Sequence, residues 1–263
     1  MLEVLNLKFH YHADKVILRD ISFSIGQGDI FCLLGPNGTG KTTLLRCLLA
    51  INKPQKGTIR IDGIDITKTK ARKRAKLMAY VPQASSMAFP YVAREIVMMG
   101  RTAHLSFGAS PGKKDRDICD FAIAQLGIEY LTDKQFNQIS GGERQMVLLA
   151  RAIAQQAKIL VMDEPTANLD FSNQVRILQM INKLAMDGYS ILMTSHFPDH
   201  AFLACNHVAL MRDGLIIKQG NPYEIVITEN LTDLYQTPVC VTEAVLPGNN
   251  TAKVCIPLIQ KWR

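Results

Sequence analysis

Eight consecutive residues, Gly35-Pro36-Asn37-Gly38-Thr39-Gly40-Lys41-Thr42, restrict this chain more than any other stretch. They spell G-x-x-x-x-G-K-T, a phosphate-binding loop set between a strand and a helix. Phosphate needs many donors at close range. Glycines let backbone N–H groups turn inward and approach the oxygens, and the dipole of the following helix adds a favourable field. Lys41 is then placed to bridge β- and γ-phosphates, and the Thr42 hydroxyl to ligate Mg2+. The flanks agree: the apolar run Phe31 to Leu34 precedes the loop, and Thr42 to Ala50 follows helical spacing. With glycine at about 7% of residues, a chance match in a chain this long is roughly a one-in-a-hundred event.

A second element sharpens the first. Ile159 to Met162 is an apolar strand that ends in Asp163 and Glu164. Asp163 can enter a Mg2+ shell, and Glu164, one residue on, can orient and deprotonate a water aimed at the γ-phosphate. Two acids after a strand also fit a solvated strand end; the phosphate loop makes them a site. A third element is Ser140-Gly141-Gly142-Glu143 ahead of a well-patterned helix. A serine and two glycines at a helix start build an anion site. Ser140 three residues before Glu143 is equally a capping box.

The rest of the chain fits an α/β architecture. Ile21, Phe23 and Ile25 alternate with polar residues, as in a half-buried strand. Thr58 to Ile61 and Met78 to Val81 are further strand candidates. Ile118, Phe121, Ala122, Gln125 and Leu126 follow helical spacing, as do Met146, Leu149, Ala150, Ile153, Ala154 and Ala157. Residues 88–155 therefore read as a helical subdomain. Strand signals return at Ile159 to Met162 and Ile191 to Thr194, with helical spacing at Ile177, Ile181 and Leu184 between them, so the sheet is parallel. Asp213-Gly214 between Val208 to Met211 and Leu215 to Ile217 marks a hairpin. From about residue 230 the pattern weakens.

The 263 residues are 48% apolar and 20% charged, which excludes a disordered chain. The net charge, 30 − 23 = +7, suits an anionic partner or serves plain solubility. Its densest run, Lys68 to Lys76, reads as a solvated helix face, and no nucleic-acid partner is expected. Six cysteines without a C-x-x-C pair read as reduced thiols, mostly filling the core. No leader sequence is visible, and the longest uncharged stretch, Leu77 to Ala93, is broken by Pro82 and Pro90. The chain is not expected to cross a membrane by itself.

Together, these three elements resemble the nucleotide-binding subunit of ABC transporters. Ser140 to Gln145 stands where that family has its signature, commonly LSGGQ, with Ile139 for Leu and Glu143 for Gln. Other landmarks follow in register from about residue 2 to 225. Tyr11 stands where the family stacks an aromatic ring on adenine. Gln83 resembles the Q-loop residue that contacts Mg2+ and the attacking water. Ala167 to Asp170 resembles the D-loop, and His196 the switch histidine that touches the γ-phosphate. The resemblance implies a P-loop NTPase core of RecA-like, mostly parallel sheet. An N-terminal antiparallel β subdomain and an inserted α-helical subdomain complete it. Residues 1–240 would form the ATPase domain and 241–263 a C-terminal extension packed on the core.

The implied cofactors are ATP and Mg2+. Nucleotide contacts are expected from Tyr11, Gly35, Pro36, Asn37, Gly38, Thr39, Gly40, Lys41, Thr42, Thr43, Ser140, Gly141, Gly142 and Asp170. Metal contacts are expected from Thr42, Gln83 and Asp163, and catalysis from Glu164, His196 and Gln83. The resemblance further implies a head-to-tail homodimer that sandwiches ATP on the cytoplasmic side of the cell membrane. Its partners would be two copies of a polytopic permease and, indirectly, a periplasmic or lipid-anchored binding protein.

Phe89 to Arg101, with valines ahead of Gly100-Arg101, and the tail Val239 to Leu258 resemble importers of iron-siderophores, haem and vitamin B12. Molybdate or tungstate import and an exporter subunit are the alternatives, with a non-transport ABC ATPase further off. The face near Gln83, Phe89 and Met98–Met99 would receive a coupling helix of the permease, or pack in the core.

Overall fold

The structure is a computed structural model that describes residues 1–12, 15–83, 90–106 and 108–259. Phe89, part of the expected coupling face, and residues 260–263 of the tail lie outside the described residues.

The chain opens with β1 (Leu2–His12) and β2 (Lys15–Ile25), then β3 (Ile30–Leu34), the phosphate loop and α1 (Lys41–Leu48). β4 (Lys56–Ile61), β5 (Ile64–Asp65), α2 (Ala71–Ala75) and β6 (Met78–Val81) follow. Three helices come next: α3 (Ala93–Met98), α4 (Lys113–Gln125) and α5 (Gly141–Ala154). Alternation resumes with β7 (Ile159–Met162), α6 (Phe171–Met186), β8 (Ser190–Ser195), α7 (Asp199–Ala204) and β9 (His207–Arg212). The chain closes with β10 (Leu215–Gly220), α8 (Pro222–Ile225), α9 (Thr228–Tyr235), β11 (Val239–Val245) and β12 (Thr251–Pro257).

The main sheet runs β10-β9-β3-β8-β7-β6. Its strands are parallel except β10, which turns back on β9 through Asp213-Gly214. Both turn residues have positive φ, 48° and 75°, as a two-residue hairpin requires. A separate antiparallel sheet runs β2-β1-β4-β5. This is the P-loop NTPase fold with its antiparallel β subdomain and inserted helices.

Every residue of β3, β7 and β8 is buried, as expected of central strands covered on both faces. Their period-2 alternation divides the apolar residues between two clusters. Ile30, Cys32, Leu34, Leu160 and Met162 face the helices, where α5 contributes Met146, Leu149, Ala150 and Ile153. Phe31, Leu33, Ile159 and Val161 face α1 and the antiparallel sheet, which supplies Ile21, Phe23 and Ile25.

One helix is phased differently from its expected pattern. In α4 the buried face is Cys119, Ala122, Ile123 and Leu126, while Phe121 is 66% exposed. At 3.6 residues per turn Phe121 falls roughly 150° from the centre of that face, on the solvent side of the helix.

Gly100 and Arg101 act as a joint. A Cβ on Gly100 would stand 2.2 Å from the Arg151 carbonyl oxygen, so only glycine lets this segment lie against α5. Arg101 is 3% exposed. It donates to the Ala154 carbonyl at 2.7 Å, to Gln156 Oε1 at 2.9 Å and to Asp115 Oδ1 at 3.0 Å. Arg101→Met would leave the buried Ala154 carbonyl without its donor, at a cost of about 2 kcal/mol. The expected result is a melting temperature lower by about 4–8 °C, read by differential scanning calorimetry. An unchanged transition would remove the clamp from the account.

Candidate nucleotide site

Four connections leave the carboxyl ends of β3, β6, β7 and β8, on one edge of the sheet. That edge is where open α/β sheets bind ligands. The loop after β3 carries the stretch Gly35 to Thr42, the expected phosphate loop. Gly38 and Gly40 have φ of 82° and 103°, which a side chain would strain. A Cβ on Gly35 would stand 2.3 Å from the Met211 carbonyl oxygen, because the loop passes against the end of β9. Thr39 Oγ1 donates to the Pro36 carbonyl at 3.0 Å and closes the turn, while Asn37 and Gly38 are exposed.

Lys41 is 5% exposed and donates to the Gly35 and Pro36 carbonyls at 2.6 and 3.0 Å. Burial pulls its ammonium below the usual lysine range, and the carboxylates of Glu164 and Asp163 oppose that shift. Its Nζ lies 4.0 Å from Glu164 Oε1.

The end of β7 brings in both acids. Thr42 Oγ1 lies 3.5 Å from Asp163 Oδ1, which also accepts from Thr194 Oγ1 at 2.9 Å. Glu164 has φ of 45°, left-handed for a non-glycine residue, and its N–H donates to Thr194 Oγ1 at 2.8 Å. Such a conformation persists only where the surroundings impose it. Here it turns the Glu164 carboxylate back toward Lys41 and the end of β8. There His196 Nδ1 faces Glu164 Oε2 at 3.5 Å and, among the described residues, makes no hydrogen bond. Gln83 follows β6 by two residues and is exposed; β6 is held to β7 by Asp163 N–H donating to the Val81 carbonyl at 3.0 Å.

Tyr11 reaches α1 from β1. Its ring is half exposed and its phenol oxygen accepts from Asn52 Nδ2 at 3.1 Å. The Thr43 hydroxyl, and then the Asn52 amide, hold its pKa below the usual tyrosine value.

Ser140, Gly141 and Gly142 stand apart. Among the described residues, no hydrogen bond or ion pair links them to the phosphate loop. The capping box is formed: Glu143 N–H donates to Ser140 Oγ at 3.3 Å, and Ser140 N–H donates to Glu143 Oε2 at 2.8 Å. That backbone donor is the main reason the Glu143 carboxyl sits below its usual range. A Cβ on Gly142 would stand 2.3 Å from Asn173 Oδ1, so the start of α5 packs tightly against the start of α6. Asp170 caps α6, accepting from Asn173 N–H at 2.8 Å.

The ABC transporter family model matches residues 18–167, more than half of the chain. The chain belongs to the ABC transporter family. As an ABC cassette it is an ATPase. It is 38% identical over 241 residues to an ATP-binding protein of Helicobacter pylori assigned to iron chelatin transport, covering 91% of this chain and 94% of the relative. It is 34% identical over 244 residues to the molybdate import ATP-binding protein of Haemophilus influenzae, covering 92% and 91%. Among solved structures, an ABC transporter described as metal-chelate type superposes with a TM-score of 0.88 at 32% identity, over 98% of both chains.

Three further residues, to which sequence reasoning assigned no role, lie against the cluster of Asp163, Glu164 and His196. Thr194 ties Asp163 to the Glu164 backbone. The Tyr80 hydroxyl lies 3.5 Å from Asp163 Oδ2, and burial, then the Asp163 charge, push its pKa up to about 12. Both residues lie on the strands flanking β7, and the only signal for them was position within a strand. His200, four residues past His196, is buried beside Ser195 Oγ at 3.0 Å and Thr166 Oγ1 at 3.5 Å.

Proposed function

We propose that this cassette powers an importer of metal chelates, working as a head-to-tail homodimer bound peripherally to the cytoplasmic face of the membrane. One observation carries the catalytic reading. Lys41 Nζ, the Glu164 carboxylate and His196 Nδ1 lie in sequence at 4.0 and 3.5 Å, from three different connections. A cation, a base and an imidazole around one space are what γ-phosphate transfer to water demands.

Lys41 and the loop amides bind the phosphates, and Tyr11 offers an aromatic face beside Thr43. Glu164 orients the attacking water and takes its proton. His196 and Gln83 complete the contacts to the γ-phosphate and the water. Thr42 Oγ1 and Asp163 Oδ1, 3.5 Å apart, form the all-oxygen set that Mg2+ prefers, and they would hold it with the phosphates. Bound there, Mg2+ neutralises charge developing on the phosphoryl oxygens. Gln83 would complete that shell.

Ser140, Gly141, Gly142 and Asp170 serve the second subunit. Their separation from the phosphate loop of their own chain supports a composite site, in which the start of α5 meets the partner's nucleotide. Residues 1–240 constitute the ATPase domain, with 241–263 as an extension.

A cleft of about 370 Å³ between α1, α2, β6 and α5 would receive the permease. Its lining includes Leu49, Tyr80 and Met99, the last 39% exposed and adaptable in shape. Met98 instead packs on the core, with Cys119 Sγ donating to its sulfur at 3.7 Å. The likeness to a molybdate importer supports an oxyanion as the second cargo reading.

Capture of the tagged cassette from gently solubilised membranes tests this proposal. A polytopic partner of about ten helices per copy is expected, as the importer resemblance implies. A six-helix partner would make the chain an exporter subunit. Ribosomes or DNA without a membrane protein would overturn the transport reading.

A further inference from the structure

The turn that carries His196 is tied down on both sides. Locally, Phe197 N–H donates to Ser195 Oγ at 3.0 Å, and that hydroxyl sits 3.0 Å from His200 Nδ1. His200 is 5% exposed, and burial pushes its imidazole down to about 4, so the ring is neutral at physiological pH. Its Nδ1 is then able to accept from Ser195.

Two more ties come from far along the chain. Tyr235, the last residue of α9, donates its hydroxyl to the His196 carbonyl at 3.0 Å. Asp199 Oδ1, three residues after His196, accepts Cys255 N–H of β12 at 2.9 Å. The tail that makes these contacts is itself one braced unit. Val241 N–H donates to Thr228 Oγ1 at 2.9 Å and Val239 N–H to Thr232 Oγ1 at 3.3 Å, fixing β11 to α9. Arg212 anchors α9 from below by donating to the Asp233 carbonyl at 2.8 Å and pairing with its carboxylate at 2.7 Å. Burial drives the Tyr235 phenol above its usual range, so it remains a donor.

We propose that Tyr235 is a positioning residue for ATP hydrolysis, holding the His196 main chain so that the imidazole faces Glu164, with the Asp199–Cys255 tie bracing the same turn from the C-terminal hairpin. The proposal rests on the assignment of His196 to the γ-phosphate. A hydrogen bond to a main-chain carbonyl cannot itself touch the nucleotide. It limits the positions open to the next atoms of the turn, and misplacement of about 1 Å in a catalytic group costs up to about 100-fold in rate. Most of the phosphate contacts are assigned to the loop after β3, whose tie to this turn, Gly35 N–H donating to the Ser195 carbonyl at 3.3 Å, lies one residue before the carbonyl that Tyr235 holds. The tail should therefore affect kcat and leave the ATP KM alone.

The test is steady-state and single-turnover ATP hydrolysis by Tyr235→Phe, His196→Ala and the double variant, with melting curves on each. Tyr235→Phe keeps the ring and loses only the donor. A kcat about 5- to 20-fold lower, with KM within about twofold, is expected. In the His196→Ala background the same change should have no further effect, since its route to the reaction is gone. Asp199→Ala should give a smaller loss that Asp199→Asn restores, because the amide oxygen still accepts the Cys255 N–H; this pair carries the test if Tyr235→Phe melts early. Native kcat in Tyr235→Phe, or equal fold losses with and without His196, would overturn the positioning role while leaving the His196 assignment standing. Native turnover in His196→Ala would overturn that assignment and the positioning role with it.

Discussion

Glu164→Gln is expected to lower ATP turnover by about 1,000-fold and to leave ATP affinity within about threefold of native. The substitution is nearly isosteric, and what shapes residue 164 is its backbone. The left-handed φ of 45° and the N–H to Thr194 Oγ1 bond at 2.8 Å belong to any residue placed there. Gln would therefore point where Glu points, and it cannot take a proton from water. Affinity should survive, because most phosphate contacts are assigned to the loop amides and Lys41. Loss of the Glu164 charge 4.0 Å from Lys41 also removes a competitor of the phosphates for that cation. Phosphate release and a fluorescent-nucleotide titration separate the two effects. Turnover at the native rate would take the role of base away from Glu164.

Lys41→Met should do the converse, weakening ATP binding by about 100-fold, the worth of one strong charge-assisted contact or two modest ones. Stability should change little. Lys41 is buried against the Gly35 and Pro36 carbonyls, and burial works against its charge. Methionine fills the same channel without that desolvation cost, and forfeits the two hydrogen bonds. Calorimetric titration with ATP checks the affinity, and thermal melting checks that the loop still folds. Native affinity in Lys41→Met would mean that the loop after β3 is not the phosphate site.

The parts of this fold that were legible in the sequence are those written in contiguous residues. The phosphate loop needs its glycines and lysine in fixed order, so one stretch displays the whole device. Asp163 and Glu164 are adjacent, and the apolar run before them matched β7 residue for residue. β3, buried on both faces, stands out as an uninterrupted apolar run, whereas β8 shows only Ile191 to Met193 between Ser190 and Thr194-Ser195.

What escaped depends on neighbours distant in sequence. Thr194 and Tyr80 matter because β8 and β6 flank β7, and the order of strands in a sheet is not written in any one of them. Gly100-Arg101 resembled a subfamily mark; its physical basis, a close backbone approach and a buried guanidinium clamp on α5, needed α5 in place. The tail looked weakly patterned because β11 and β12 are mostly only partly buried, so neither face has a clean apolar stripe. Phe121 was misphased because apolar residues lie on both sides of Ala122 and Leu126, and the face that is buried takes in Cys119 and Ile123 rather than Phe121.

ATP-driven pairing is the step that would turn this chemistry into movement, and it is directly measurable. Light scattering on Glu164→Gln with saturating ATP and Mg2+ should give twice the 29.3 kDa monomer mass, because bound nucleotide joins the two copies and cannot be cleaved. With ADP the same protein should scatter as a monomer. A mass of 29.3 kDa at saturating ATP, with nucleotide shown to be bound, would contradict an ATP-sandwich dimer and the motor built on it.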